Sequence, residues 1–259
     1  MKKVTILAVG LLLLVPALSF SDSISLRLGY TMPRGLSDTY LAAHPDSLWR
    51  IEFDQMSFRP ADYRGGTIGI GYDYFVGKNL SLSLSLDSYS KGRLGYYNDW
   101  VLNTLTEGDF AFPYESFEGD DIMHSFRISV TPVELSLKLL PFGRRAKLIP
   151  YVGGGATMAF WGVRMFGDMV NFSDPWVYTD PVLGDVDIYP VESVNGLEHG
   201  TAFGWHAFGG IQVPIGYRAT IEAEARYRSV KAHYRDWFQG FEDQELGGLA
   251  LTIGVSYWF

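Results

Sequence analysis

Apolar and polar residues alternate with a period of two along most of the chain. In the stretch NLSLSLSLDS, residues 79–88, leucines at 80, 82, 84 and 86 share one face, and the odd positions between them hold serine or aspartate. Successive side chains of a β-strand point to opposite faces, so this period predicts strands with one apolar face. Eight segments follow the pattern, at roughly 23–32, 66–76, 80–90, 122–140, 148–161, 201–213, 217–230 and 247–259.

The connections between these segments alternate strictly between long and short. The long ones are 33–65, 91–121, 162–200 and 231–246, and the short ones are 77–79, 142–147 and 214–216. All long loops therefore lie on one side of an antiparallel sheet, an asymmetry typical of outer-membrane barrels rather than soluble sandwiches. Each segment has at least ten residues, enough for the ~9–11 that a tilted strand needs to cross a bilayer. We predict an all-β fold, an eight-stranded antiparallel up-and-down transmembrane β-barrel.

Two segments depart from clean alternation. In the fourth, Phe126, Ile128 and Val130 are apolar at even positions, but the apolar residues from Val133 onward occupy odd positions. A β-bulge at Thr131-Pro132 would return the apolar face to lipid, because proline removes a ladder donor. The fifth segment has no clear phase, so its orientation stays open, and its three consecutive glycines indicate a crowded or bent wall.

Charged residues of the predicted strands lie opposite the apolar face. In a barrel with its apolar face outward they point into the interior, and the predicted set is Arg27, Asp73, Asp87, Glu134, Lys138, Glu222, Glu224, Arg226 and Arg228. A buried charge without a partner costs several kcal/mol, so we expect these side chains to pair. They then form a polar lumen charge network that fills the barrel; the alternative is a gated narrow pore.

The first residues, MKKVTILAVGLLLLVPALSFSDS, have the layout of a secretory signal peptide. We predict a signal peptide at 1–19, with cleavage after Ser19 or alternatively after Ser21, and a barrel domain at 20–259. Removing two lysines leaves 19 basic against 29 acidic residues, which argues against a nucleic-acid partner. The chain has no cysteine, so neither disulfides nor thiolate metal sites are expected.

The segment VTPVELSLKLLPFGRRAKLIPYVGGGATMAF and the closing VSYWF resemble small outer-membrane barrels of the OmpA-like and OmpW-like superfamily. The resemblance implies a bacterial outer-membrane location, with extracellular loops and periplasmic termini. It also implies insertion by the barrel assembly machinery, for which Phe259 and Tyr257 are the expected assembly signal. Lipid and lipopolysaccharide are the expected partners, and a monomer is expected. It implies little about activity.

No catalytic site, cofactor or metal site is predicted. His124-Ser125 and His199 with Thr201 come closest to a nucleophile and base, but neighbouring strand residues point apart and no third member stands out. The loop 165–200 is acidic with interleaved aromatic residues, without the spacing of a calcium loop. Three functions remain: a structural or surface-interaction barrel, a narrow channel or OmpW-like carrier for small or apolar solutes, and a lipopolysaccharide-modifying enzyme.

Overall fold

A closed antiparallel barrel forms the body of the protein. The computed structural model describes residues 22–97, 110–111, 122–170, 176–182, 184–188 and 191–259. Within them, the long strands are β1 (Ser23–Pro33), β2 (Gly65–Phe75), β3 (Leu80–Tyr96), β4 (Met123–Leu139), β5 (Ile149–Val170), β6 (Val191–Pro214), β7 (Ala219–Ala232) and β8 (Gly248–Trp258). Each pairs with its chain neighbour, and β8 pairs with β1. The predicted fold class is confirmed; the expected signal peptide lies outside the described residues.

The closing pair β1–β8 runs from Ser23 opposite Trp258 to Pro33 opposite Gly248 without interruption. This pairing leaves no free edge in the barrel wall, as a strand structure in hydrocarbon requires.

Smaller elements fill the connections on the long-loop side. They are α1 (Asp38–Ala42), α2 (Leu48–Gln55), a 3₁₀ turn (Pro60–Tyr63) and short strands at Phe110–Ala111, Trp176–Asp180, Gly184–Ile188 and Gln244–Glu245. Both helices have a serine N-cap: Ser37 Oγ accepts from the Tyr40 N–H and Ser47 Oγ from the Arg50 N–H. No helix in the described residues has the length and hydropathy to cross a membrane.

Many outward-facing strand positions are apolar and exposed. Leu28, Leu137 and Ile253 each have more than half of their side-chain surface accessible. Exposed apolar side chains in such number on a barrel wall mark contact with lipid.

The barrel interior on the long-loop side is apolar. Here α2 and the 3₁₀ turn enter the barrel mouth and pack against the strands, forming what we call the aromatic plug. Its main members are Trp49, Phe53, Phe58, Tyr63, Phe126, Ile128, Trp161, Tyr234 and Phe238. The Trp49 ring lies 5.6 Å from the Phe126 ring and 5.5 Å from the Tyr234 ring, centroid to centroid. The expectation of a polar interior is therefore wrong for this end of the barrel.

The plug also explains the irregular fourth segment. Strand β4 keeps one register with β5 from His124 to Leu139, and one register with β3 on both sides of Pro132. The expected bulge at Thr131-Pro132 is therefore wrong. Even positions face inward along the whole strand. The apolar residues change faces because the interior changes from apolar to polar at this level.

Strand β5, whose orientation the sequence leaves open, directs Tyr151 and Trp161 inward and Val152 outward. Its glycines lie against neighbouring strands. A Cβ at Gly153 would collide with the Phe208 ring, and one at Gly155 with the backbone of β4. This agrees with the crowded wall expected from the three glycines.

Candidate functional site

The structure places all nine predicted charged residues inside the barrel, between the aromatic plug and the short turns. We call this set the ion-pair layer: Arg27, Asp73, Asp87, Glu134, Lys138, Glu222, Glu224, Arg226 and Arg228. All but Asp73 are at most 7% exposed, and the Asp73 side chain is 14% exposed. They lie at alternate, inward-facing positions on five of the eight strands, which is why their spacing in the sequence is two or a multiple of two within each strand.

Glu134 is at the centre of the ion-pair layer and is fully buried. Its carboxylate accepts hydrogen bonds from Arg228 Nε at 2.6 Å, from Arg226 and from Ser85 Oγ at 3.1 Å. Arg226 also contacts the Glu224 carboxylate at 2.7 Å. Two guanidinium groups thus share one carboxylate, and such charge-assisted bonds are stronger than neutral ones.

The other charges complete the layer. Arg27 lies 3.1 Å from the Asp87 carboxylate and 3.6 Å from that of Glu224. The Lys138 ammonium donates to Asp73 at 2.9 Å.

Glu222 has no cationic partner in the described residues. Its carboxylate accepts instead from Gln212 Nε2 at 3.0 Å and from Ser256 Oγ at 3.1 Å. Neutral donors therefore complete the pairing where the four cations do not suffice for five acids.

This arrangement closes the lumen at its level. The cavity lined by the ion-pair layer has a volume of only about 10 Å³. That is about the space of one water molecule, so no solute fits without displacement of the charged side chains.

A serine, a histidine and a carboxylate also meet inside the barrel, a constellation that sequence reasoning missed. Ser136 Oγ lies 2.7 Å from His206 Nε2, and Glu134 Oε1 lies 3.8 Å from His206 Nδ1. The order of groups is that of a nucleophile, a base and an orienting acid. The alternation pattern of β4 and β6 places these residues on the inward face, and this was the signal that the sequence offered. The sequence does not show that the two strands align so that the three residues lie at the same height in the barrel.

The constellation lacks what catalysis requires. Ser136 and His206 are each 2% exposed, and Glu134 is engaged by two arginines. His206 Nδ1 lies 2.8 Å from Thr157 Oγ1, closer than it lies to the carboxylate. The contacts account for a buried imidazole with both nitrogens hydrogen-bonded, and they leave no approach for a substrate in the described interior.

The histidines singled out in the sequence do not form a site either. His124 is buried in the wall of the aromatic plug, while Ser125 faces away and donates to the Phe166 carbonyl at 3.2 Å. His199 and Thr201 are both exposed.

Backbone contacts hold the aromatic plug in place. Glu242 accepts at its carboxylate from the Leu48 N–H at 3.0 Å, at the start of α2, and its carbonyl accepts from Trp49 Nε1 at 3.0 Å. A carboxylate at a helix N-terminus is favourable because unpaired N–H groups point at it.

Burial raises the pKa of Glu52 and of Tyr63, which favours neutral side chains in the plug.

A second carboxylate anchors the neighbouring loop. Glu198 on β6 accepts from the backbone N–H groups of Arg235 at 2.6 Å and Phe238 at 3.1 Å. The segment that carries Phe238 into the plug is thus tied to the barrel wall.

No family model matches the chain, and no curated protein matches it. Solved structures do. The outer membrane protein OprG from Pseudomonas aeruginosa is 12% identical over 92% of this chain and 96% of its own, with a TM-score of 0.47. Neisserial surface protein A is 11% identical over 93% and 98%, with a TM-score of 0.43. Outer Membrane Protein W from E. coli is 13% identical over 92% and 98%, with a TM-score of 0.42. These three barrels are structures to which the chain is similar.

The ion-pair layer predicts the effect of removing its central charge. In Glu134→Gln, Arg226 and Arg228 lose their shared anion without leaving the interior, so the free energy of unfolding should fall by about 3–5 kcal/mol. Urea unfolding of the refolded barrel in lipid vesicles measures this. Asp54→Asn, which breaks the exposed 2.6 Å pair with Arg50, is the control and should cost at most about 1 kcal/mol. Equal effects of the two substitutions would contradict the central role of Glu134.

Proposed function

We propose that this protein is an integral outer-membrane barrel with a structural or surface-interaction role, and that it does not conduct solutes. The observation that carries the proposal is the filled interior. The aromatic plug occupies the long-loop end and the ion-pair layer the middle. A third group of buried side chains, the basal cluster, occupies the short-turn end and consists of Phe75, Leu140, Ile149, Tyr151 and Phe208.

The exposed apolar wall supports the membrane location. Only helices and closed barrels can satisfy every backbone polar group in hydrocarbon, and this chain forms a closed barrel. Bacterial outer-membrane barrels have short periplasmic turns and longer extracellular loops. We therefore orient the long connections outward, with Ser23 and Phe259 on the periplasmic side.

A long hairpin supports the surface role. Strands β5 and β6 pair as far as Val170 and Val191, but the last pair of β6 with β7 is Gly204 with Val230. Residues 191–203 thus extend roughly 40 Å along the strand beyond the last β6–β7 pair. The hairpin tip carries Trp176, which is 53% exposed, and the connection is acidic. Lipopolysaccharide, through shared divalent cations, or a protein at the cell surface fits such a tip.

The alternatives require changes that the geometry opposes. A channel or carrier would need both the aromatic plug and the ion-pair layer to move, which would leave several charges without partners. An enzyme acting on lipopolysaccharide would need a nucleophile that faces the outer leaflet, whereas Ser136 lies deep in the interior.

Conductance tests the proposal. The folded protein in planar bilayers should give no discrete current steps, and neither should a variant in which residues 36–63 are replaced by a short Gly-Ser linker, because the ion-pair layer remains. A heat-dependent shift in gel mobility of the same sample is the control for a folded barrel. Discrete ion currents through the folded wild-type protein would refute the non-conducting role.

The end of the chain has a further proposed role as an assembly signal. Phe259 N–H donates to the Asp22 carbonyl at 2.9 Å, and the rings of Tyr257 and Phe259 lie 5.4 Å apart. We expect deletion of Phe259 to lower the amount assembled in the membrane while the urea midpoint of inserted barrels changes little. Phe142→Ala, at an exposed short-turn site, is the matched control. Unchanged assembly of the truncated chain would leave Phe259 as a structural residue only.

A further inference from the structure

The lipid-facing wall contains a groove that the proposed function does not use. It has a volume of about 600 Å³ and opens outward where β1, β6, β7 and β8 meet. Small residues line it on two strands, namely Gly209 on β6 and Ala223 and Ala225 on β7, and Leu251 and Ile253 flank them on β8. The volume is within the range of ~300–1,000 Å³ found for small-molecule sites.

The groove has a defined end toward the long loops. Tyr227, the next outward residue after Ala225 on β7, packs against Trp205 with ring centroids 5.7 Å apart. Since outward side chains recur every second residue, this aromatic pair bounds the row of small residues. The groove is therefore short and does not run along the whole height of the wall.

A cation lies beyond the other end of the groove, toward the short turns. Arg218 directly precedes β7, is exposed, and donates from Nη1 to the Tyr257 hydroxyl at 3.3 Å. Because Tyr257 is an outward-facing residue of β8, this contact places the guanidinium on the lipid side of the barrel near the short turns. Arg218 forms no ion pair with any residue that the structure describes.

The spacing of these features matches a lipid. Tyr257 and Ile253 are four residues apart on one strand, which is about 13 Å. One leaflet contributes about 15 Å to a hydrocarbon core of about 30 Å. A chain that starts at the level of Arg218 therefore reaches the small residues of the groove within its own leaflet.

We infer that the groove binds one acyl chain of a phospholipid of the periplasmic leaflet, with the lipid phosphate held by Arg218. The apolar lining takes the chain, and a guanidinium with no carboxylate partner among the described residues complements a phosphate, to which it can donate two parallel hydrogen bonds. This inference rests on the membrane location and orientation proposed above. The cation between the groove and the short turns favours a phospholipid over a second copy of the barrel as the occupant.

Native mass spectrometry tests the inference. The protein is reconstituted in vesicles of phosphatidylethanolamine and phosphatidylglycerol, extracted in mild detergent, and the phospholipids retained per barrel are counted. The wild type should retain one. The groove-filling variant Ala223→Leu/Ala225→Leu should retain about tenfold less, since losing contact with about two methylene groups costs about that factor. Arg218→Gln should also retain about tenfold less, since one hydrogen bond to a charged group is worth about that factor. Thr131→Leu, at an outward-facing position of β4, a strand that does not line the groove, is the matched control and should retain as much as the wild type.

The other outcomes are distinguishable. A folded wild-type barrel without retained phospholipid, or retention that the groove-filling variant does not lower, would overturn the inference. A dimer that the groove-filling variant dissociates would assign the groove to a second copy and also overturn it. A wild-type chain that stays soluble without detergent and shows no heat-dependent mobility shift would overturn the proposed function itself, and this inference with it.

Discussion

The pairing of β1 with β8 is the constraint from which the rest of the structure follows. In hydrocarbon, each backbone N–H or C=O group without a partner costs several kcal/mol, so a sheet can cross only if its last strand returns to its first. The uninterrupted register from Ser23 to Pro33 meets that condition. Once the wall is closed, period-two alternation assigns one face to lipid and the other to the lumen. Eight strands enclose a space that side chains can just fill.

Two kinds of side chain fill that space, apolar ones near the mouth and charged ones deeper in the lumen. Near the mouth, where a long connection can fold back, α2 inserts Trp49 and Phe53 and the filling is apolar. Deeper in the lumen no loop of the described chain enters, and the wall supplies its own filling. There Glu134 and its arginines pair in a setting where unpaired charges would be costly. The transition between the two lies at Thr131-Pro132, where the apolar residues of β4 change faces.

The fold could be predicted from local pattern, and the site only in part. In strands such as β3 and β7, the alternation of apolar and polar residues predicts both the strand and its inward-facing charges. This prediction uses only the sequence of the strand itself and does not depend on which strands lie beside it. The expected bulge in β4 was wrong because the inference assumed a polar interior throughout. Helix α2 was not predicted, since its burial depends on partners such as Tyr234, far away in the chain. The contact of Ser136 with His206 depends likewise on the levels at which two strands align, which composition and spacing do not reveal.

Thiol accessibility tests the filled interior most directly. The chain has no cysteine, so Ser136→Cys introduces a single thiol at the centre of the lumen, and Val182→Cys provides an exposed control at 89% accessibility. In folded protein reconstituted in vesicles and exposed to a charged, water-soluble thiol reagent on both sides, the account predicts rapid labelling at position 182. It predicts no labelling at position 136 until the barrel is unfolded. Labelling of both positions at similar rates would mean a water-filled lumen and would contradict the account.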